Sequence, residues 1–173
     1  MNILKKIVEN KENTLSQRKA NFPIEKLIRE NAESLDSPPI FNKSLIRQES
    51  GIIAEIKKAS PSAGLIVEVF DPIKKAKEYE KIGAIALSVL TEEDFFMGSD
   101  QDLIDVRSNS KLPILRKDFI IDEYQIYESK IIGADCILLI ASILNNAQLT
   151  EFTKLAYTLN LDYLIAVSYT HLR

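Results

Sequence analysis

The sequence predicts an α/β fold built on a parallel sheet. After residue 50, apolar strand-like runs alternate with amphipathic helical runs. Each strand candidate starts about twenty to thirty residues after the one before, the length of one strand–helix unit. The strands are apolar on both faces, as parallel strands covered by helices are. Two architectures satisfy this pattern: an open doubly wound sheet, and part of a (β/α)8 barrel.

The first fifty residues contain no good strand and form a helical extension, 1–50, ahead of the α/β region, 51–173. Residues 2–20 read as a helix, because Ile3, Leu4, Ile7 and Leu15 keep a loose helical period between Lys and Glu. Residues 24–34 read as a second helix, broken at Ser37-Pro38-Pro39, and a short helix follows near 41–46.

Strands are expected at 52–57, 84–90, 113–117, 135–140 and 163–167. The helices between them carry their own punctuation. Asp71-Pro72 supplies an N-cap with proline at the first helical position, and Gly83 supplies the stop. Ile73, Ala76, Tyr79 and Ile82 make one apolar stripe between them. A short helix is expected at 100–107. Asp122 caps the helix that ends at Gly133, and Asn145 or Asn146 caps the one running to about Leu159. The turn after the first strand reads SPSAG, with no GxGxxG, which weighs against a dinucleotide cofactor.

Composition is that of a soluble globular protein, 46% apolar and 27% charged over 173 residues, with room for one domain and a sizeable core. The net charge of −3 weighs against a nucleic-acid partner, since phosphate binding wants a basic surface. The single cysteine, Cys136, lies in the apolar run ADCILLIAS and reads as a small buried hydrophobe; an internal disulfide is impossible. With one cysteine and one histidine, His171, a zinc site from those ligands is excluded. No apolar run is long enough to cross a membrane, and MNILKKIVENKENT lacks the apolar block of a signal peptide. The expectation is a cytoplasmic protein without a membrane partner.

The strand ends are charged. Side chains alternate along a strand, so Ile53, Glu55 and Lys57 point one way, while Lys58 at the strand end need not follow. In a parallel sheet or barrel the carboxyl ends of the strands host the chemistry. An acid beside a base there can bind an anion, move a proton or simply pair, and spacing leaves all three open. The third strand repeats the feature: in LPILRKDF, Lys117 shares a face with Leu115, and Arg116 shares the opposite one with Ile114. A lysine inside a barrel mouth beside another lysine is expected to lose proton affinity, which suits a general acid or base; the alternative is a solvated loop lysine. After the second strand, Thr91, Glu92 and Glu93 precede Phe95, Phe96 and Gly98. The two phenylalanines either line a pocket for a flat apolar ligand or form a lid on the rim.

The runs IIAEIKKASPSAGLI, LSVLTEEDFFMGSDQDL, LPILRKDFIIDEYQIYES and GADCILLIASIL resemble, in order and separation, the signature segments of indole-3-glycerol-phosphate synthases. The helical leader is similar to that family's extra N-terminal segment, and the resemblance covers residues 1 to about 165. It implies a (β/α)8 TIM barrel, present here as roughly its first five strands behind the helical extension. It also implies closure of an indole ring from a phosphorylated anthranilate–ribulose conjugate, with loss of carbon dioxide and water, in tryptophan biosynthesis and without cofactor or metal. Carried onto matching positions, Lys117 is the general acid that protonates the substrate carbonyl oxygen. Lys57 contacts the anionic groups and assists proton transfer, and Glu55 orients and balances the lysines. Ser60 belongs to the substrate-binding turn, and Phe96 and Phe119 contribute apolar wall. Fusion or association with another tryptophan-pathway enzyme is a further implication.

The resemblance breaks near the end. Where the family carries a general-base glutamate in strand five, this chain has Ala166, followed by Val167 and Ser168, and YTHLR does not read as the next helix. The expectation is a truncated product whose last eight or so residues are foreign, lacking the later strands and phosphate loops. Loss of a general base costs on the order of a hundred- to ten-thousand-fold in rate. The chain alone is therefore expected to be inactive and to aggregate. The alternative is a non-catalytic half-barrel that assembles with itself or a partner. Another phosphosugar barrel enzyme, such as an isomerase of the same pathway, is opposed by AEIKKASPS and RKDF.

Overall fold

The computed structural model describes residues 3–36, 40–46 and 50–167, apart from the side chain of Asp36. Ser37-Pro38-Pro39, Ser168 and His171 lie outside them. Helix α1 (Ile3–Asn21) buries Ile7 and Leu15 and leaves Ile3 exposed. Helix α2 (Ile24–Glu30) ends short of the expected residue 34, and the chain tightens into a 3-10 turn over Ala32–Asp36. The cause is local. The side-chain amide of Asn31 donates to the Leu27 carbonyl, the acceptor its own backbone N–H would use in a continuing helix. Helix α3 (Phe41–Ile46) follows.

Five parallel strands form the main sheet: β1 (Ile53–Ile56), β4 (Ala86–Leu90), β5 (Ile114–Lys117), β6 (Cys136–Ile140) and β7 (Asp162–Ala166), in the order β1-β4-β5-β6-β7. Within this sheet, among the described residues, each strand pairs with the next sheet strand along the chain, so strand order never reverses. That absence of a switch point decides for barrel-type winding over a doubly wound sheet. The SPSAG turn is more ordered than a turn: β2 (Ala59–Ser60) and β3 (Gly64–Leu65) make a small antiparallel hairpin, with Gly64 at φ 64°. Strands of two residues carry no readable alternation.

The connecting helices all cover one face. They are α4 (Pro72–Lys81), α5 (Asp100–Asn109), α6 (Glu123–Ile131) and α7 (Asn146–Thr158). Asp71 caps α4 by accepting from the Lys74 amide, with Pro72 just inside the helix, and Gly83 turns the chain out at φ 88°. Asp122 with Gln125, and Asn145 with Gln148, form reciprocal capping boxes for α6 and α7. The α4 stripe is narrower than its spacing suggests. Ala76 is buried and Tyr79 half-buried, but Ile82 lies past the last turn and faces solvent.

The main core lies between sheet and helices, where Ile56, Leu87, Val89, Ile114, Ile137 and Leu139 meet Ala76, Leu103, Val106, Ile126 and Ala156. The opposite face of the sheet carries a smaller cluster, Ala86, Leu115 and Cys136. Phe41 of α3, fully buried, plugs it near the amino ends of the strands. The Asn42 amide and side chain both donate to the Asp162 carboxylate, at 2.9 and 2.7 Å, which fixes α3 there. Cys136 is buried, and burial pushes its thiol pKa up, away from reactivity.

Candidate active site at the carboxyl ends of the strands

Glu55, Lys57 and Lys117 converge. Glu55 and Lys57 share a face of β1 and its exit, and Lys117 closes β5, across the intervening β4. The Lys57 ammonium lies 2.6 Å from Glu55 Oε1 and the Lys117 ammonium 3.0 Å from Oε2. One carboxylate therefore stands between the two cations. Burial pushes Glu55 up, but the hydrogen bonds from Lys57 and Lys117 outweigh it and hold its carboxyl below the usual glutamate range. Glu55 remains an anion near neutrality and leaves both lysines as the donors facing the cavity.

A cavity of about 100 Å³ opens beside this cluster, with Leu90, Phe96, Phe119, Leu138 and Ile140 as its apolar lining. The Phe96 and Phe119 rings face each other at 6.0 Å between centroids and a 40° tilt. Its size falls below the roughly 300–1,000 Å³ of a complete small-molecule pocket, so it forms part of a site. Phe95 is half-buried outside the cavity lining, whereas Phe96 is in it. Ser60 lies on the hairpin outside the lining, where its Oγ accepts from the Ala63 amide at 3.2 Å. The hairpin joins the aromatic loop through the Ala59 amide, which donates to the Phe96 carbonyl at 3.2 Å. Ala166, at the end of β7, pairs with Ile140 of the lining, and its side chain is a methyl group.

Arg116 points the other way and is almost fully buried. Its guanidinium donates to Thr91 Oγ1 at 3.0 Å, Ser129 Oγ at 3.1 Å, the Gln125 carbonyl at 3.2 Å and Asp100 at 2.6 Å. Asp118 and Glu128 lie within 3.5 Å. One side chain thus ties β5 to the start of α5 and to two successive turns of α6. Burial alone would push Asp118 up, but Arg116 and Lys11 hold its carboxyl below the ordinary aspartate range.

Helix α1 lies over this end of the strands. Arg18 bridges Glu93, Asp100 and Glu128 at 2.8 to 3.2 Å, and Lys19 reaches Asp122 at 2.8 Å. Lys11 reaches Asp118 at 2.9 Å and Glu92 at 3.8 Å. Sequence reasoning missed Lys11, although its place one turn from both Ile7 and Leu15 puts it on the buried face of α1; a lone lysine there names no partner, and only the tertiary placement of the helix supplies Asp118 and Glu92. Among the described residues, no cluster of three or more His, Cys, Asp or Glu side chains could hold a metal ion, and no helix is long and apolar enough to cross a membrane.

Sequential parallel strands and helices on one face define a segment of a β/α-barrel protein, and the cluster of Glu55, Lys57 and Lys117 is a candidate site at the end where such barrels carry their chemistry. Residues 4–171 match the family model described as indole-3-glycerol phosphate synthase, and the chain belongs to that family. It is 47% identical over 165 residues to the indole-3-glycerol phosphate synthase of Thermoanaerobacter pseudethanolicus, covering 95% of this chain and 62% of that protein. Its likeness to the enzyme of the same name from Lachnoclostridium phytofermentans is 43% over 176 residues, 94% of this chain and 65% of that one. For Ruminiclostridium cellulolyticum the figures are 54% over 129 residues, 75% and 50%. The chain therefore spans less than two thirds of the length of these curated relatives.

Proposed function

We propose that this chain carries the acid–base and aromatic-binding part of an indole-3-glycerol phosphate synthase. The reaction is ring closure, with decarboxylation and dehydration, of 1-(2-carboxyphenylamino)-1-deoxyribulose 5-phosphate in tryptophan biosynthesis. The observation that carries the reading is the Glu55 carboxylate held between the Lys57 and Lys117 ammonium groups beside the Phe96–Phe119 wall. The aryl ring lies against that wall. The ring carbon bonds to the carbonyl carbon, and the carbonyl oxygen takes its proton from Lys117. Carbon dioxide then leaves from the same ring carbon, returning its bonding pair to the ring. The new hydroxyl takes a proton and leaves as water, while the neighbouring methylene carbon gives up a proton to a base and the freed pair closes the carbon–carbon double bond of the indole. Lys57 binds the anionic groups, and Glu55 keeps both lysines aimed. Ser60 enters as part of the substrate-binding turn, by likeness to the family's motif. The protein is cytoplasmic in this reading and acts on a small phosphorylated molecule, alone or joined to another tryptophan-pathway enzyme.

Binding, rather than turnover, tests the chain, because Ala166 brings a methyl group where the reaction needs a proton acceptor. Titration with the arylamine–ribulose phosphate, followed by its fluorescence, is expected to saturate. Lys57→Met and Lys117→Met are each expected to weaken binding about tenfold or more. Equal binding by wild type and both variants would overturn the reading.

A second reading is a half-barrel that assembles with itself or a partner. It is favoured by the sheet edge: Tyr163, Ile165 and Val167 along β7 and its exit are 39%, 44% and 50% exposed. A concentration series in light scattering with a sharp dimer end point supports it, and a monomer at all concentrations removes it.

A further inference from the structure

The two neighbouring rings of the cavity wall sit on backbone that is held on each side by a buried carboxylate. Oε2 of Glu92 accepts from the Phe95 and Phe96 amides at 2.7 and 3.2 Å, and Oδ1 of Asp118 accepts from the Phe119 amide at 2.7 Å. The Glu92 and Asp118 side chains are 0% and 2% exposed. Asp118 has further partners in Thr91 Oγ1, at 2.8 Å, and Arg116, at 3.5 Å. Glu92 has no such support: its Oε1 is buried without a hydrogen-bond partner. One cation from a distant part of the chain stands between the two carboxylates. The Lys11 ammonium of α1, itself only 11% exposed, is 2.9 Å from Asp118 and 3.8 Å from Glu92 Oε1.

We propose that Lys11 is a positioning residue for the aromatic wall: its ammonium bridges Glu92 and Asp118 and through them fixes the Phe96 and Phe119 backbones. The reading of Phe96 and Phe119 as substrate wall rests on the function proposed above; the bridge itself does not. Burial pushes Glu92 above the ordinary glutamate range, and Asp118 adds to this, while the Phe95 and Phe96 amides and Lys11 oppose it. Without Lys11, two buried carboxylates face each other with the nearest compensation, Arg116, on the Asp118 side alone. The Glu92 loop then has reason to open. Helix α1 does not depend on this contact, since Arg18 and Lys19 dock it independently.

Amide hydrogen exchange of the 173-residue chain reads these bonds directly. In Lys11→Met, exchange of the segments containing Phe95, Phe96 and Phe119 is expected to quicken about tenfold. Lys11→Arg keeps the charge and is expected to retain protection. Helix α6, tied to the leader through Tyr124 Oη and the Phe22 carbonyl at 3.1 Å, is expected to stay unchanged in both. In the double variant Lys11→Met with Glu92→Gln, the amide oxygen still accepts from Phe95 and Phe96 but needs no cation, so protection of that loop returns. Unchanged exchange in Lys11→Met overturns the proposal. So does an equal loss of protection across α6, which makes Lys11 a general docking contact, and so does failure of the double variant to recover. Exchange needs neither substrate nor turnover. A chain that binds no substrate but shows this pattern sinks the functional reading and leaves the bridge standing.

Discussion

Glu55 and Lys117 meet across an intervening strand, with ammonium and carboxylate 3.0 Å apart, and Lys57 closes on the same carboxylate at 2.6 Å. Because these hydrogen bonds hold Glu55 below the usual glutamate range, the folded state releases its proton more readily than the unfolded chain. The stabilisation is present above the unfolded value and is lost as pH falls through the folded one. Glu55→Gln is therefore expected to flatten the acid side of the stability profile. At neutral pH the cost is modest, about 1 kcal/mol or less, because the cluster is a third exposed. Urea unfolding of wild type and Glu55→Gln across the acid range checks this. A difference that grows on acidification contradicts the sign.

Arg116 is a different kind of charge. It is 1% exposed and compensates Asp100, Asp118 and Glu128 at once. Arg116→Met leaves these carboxylates without their shared cation, and the expected cost is about 3–5 kcal/mol. Arg116→Lys restores charge but not the fork that reaches Thr91, Ser129 and the Gln125 carbonyl together, so it is expected to recover only part of the loss. Denaturant midpoints of the two variants decide; full recovery by lysine would show that charge alone matters.

Much of this was legible because periodicity survives into the fold. All five strands of the sheet stand where apolar runs put them, the caps at Asp71 and Asp122 where turn chemistry does, and of the two candidates Asn145 and Asn146 it is Asn145 that caps the last helix. Glu55, Lys57 and Lys117 could be grouped because a strand fixes which side each residue takes. Other features have no local signature. The β2–β3 hairpin is too short to alternate. Asn31 ends its helix through a side-chain hydrogen bond that competes with the backbone, a choice propensity leaves open. Arg116 follows Ile114 onto the helix-facing side, but its burial depends on carboxylates from α5, α6 and the loop after β5. Helical spacing puts Lys11 on the face of Ile7 and Leu15, but sequence separation hid its partners, which lie beyond residue 90.

The loop that carries Phe96 is closed by backbone contact. The Gly98 amide donates to the Glu92 carbonyl at 2.8 Å, and a Cβ on Gly98 would press into the Leu90 carbonyl. Backbone cannot yield as a side-chain tip does. Gly98→Ala is expected to cost about 1–3 kcal/mol and to expose the Phe95 and Phe96 amides. Hydrogen exchange and urea unfolding together check it. Loss of stability without faster exchange at Phe95 and Phe96 would place the strain outside the loop.

Strand β7 pairs with β6 from Asp162 to Ala166, and among the described residues no strand pairs with its other side. Tyr163 and Ile165 are 39% and 44% exposed on the face away from Leu164, an apolar strip beside unpaired backbone groups. Such an edge is a template for association. Ile165→Lys is expected to change folding stability by no more than about 0.5 kcal/mol, because the side chain is already half in water. It is also expected to suppress concentration-dependent association, because a charge on an edge strand opposes pairing. Sedimentation over a concentration series checks both arms. Association that persists unchanged in Ile165→Lys moves the contact to another surface. A sharp dimer in wild type that becomes monomer in the variant identifies β7 as the seam.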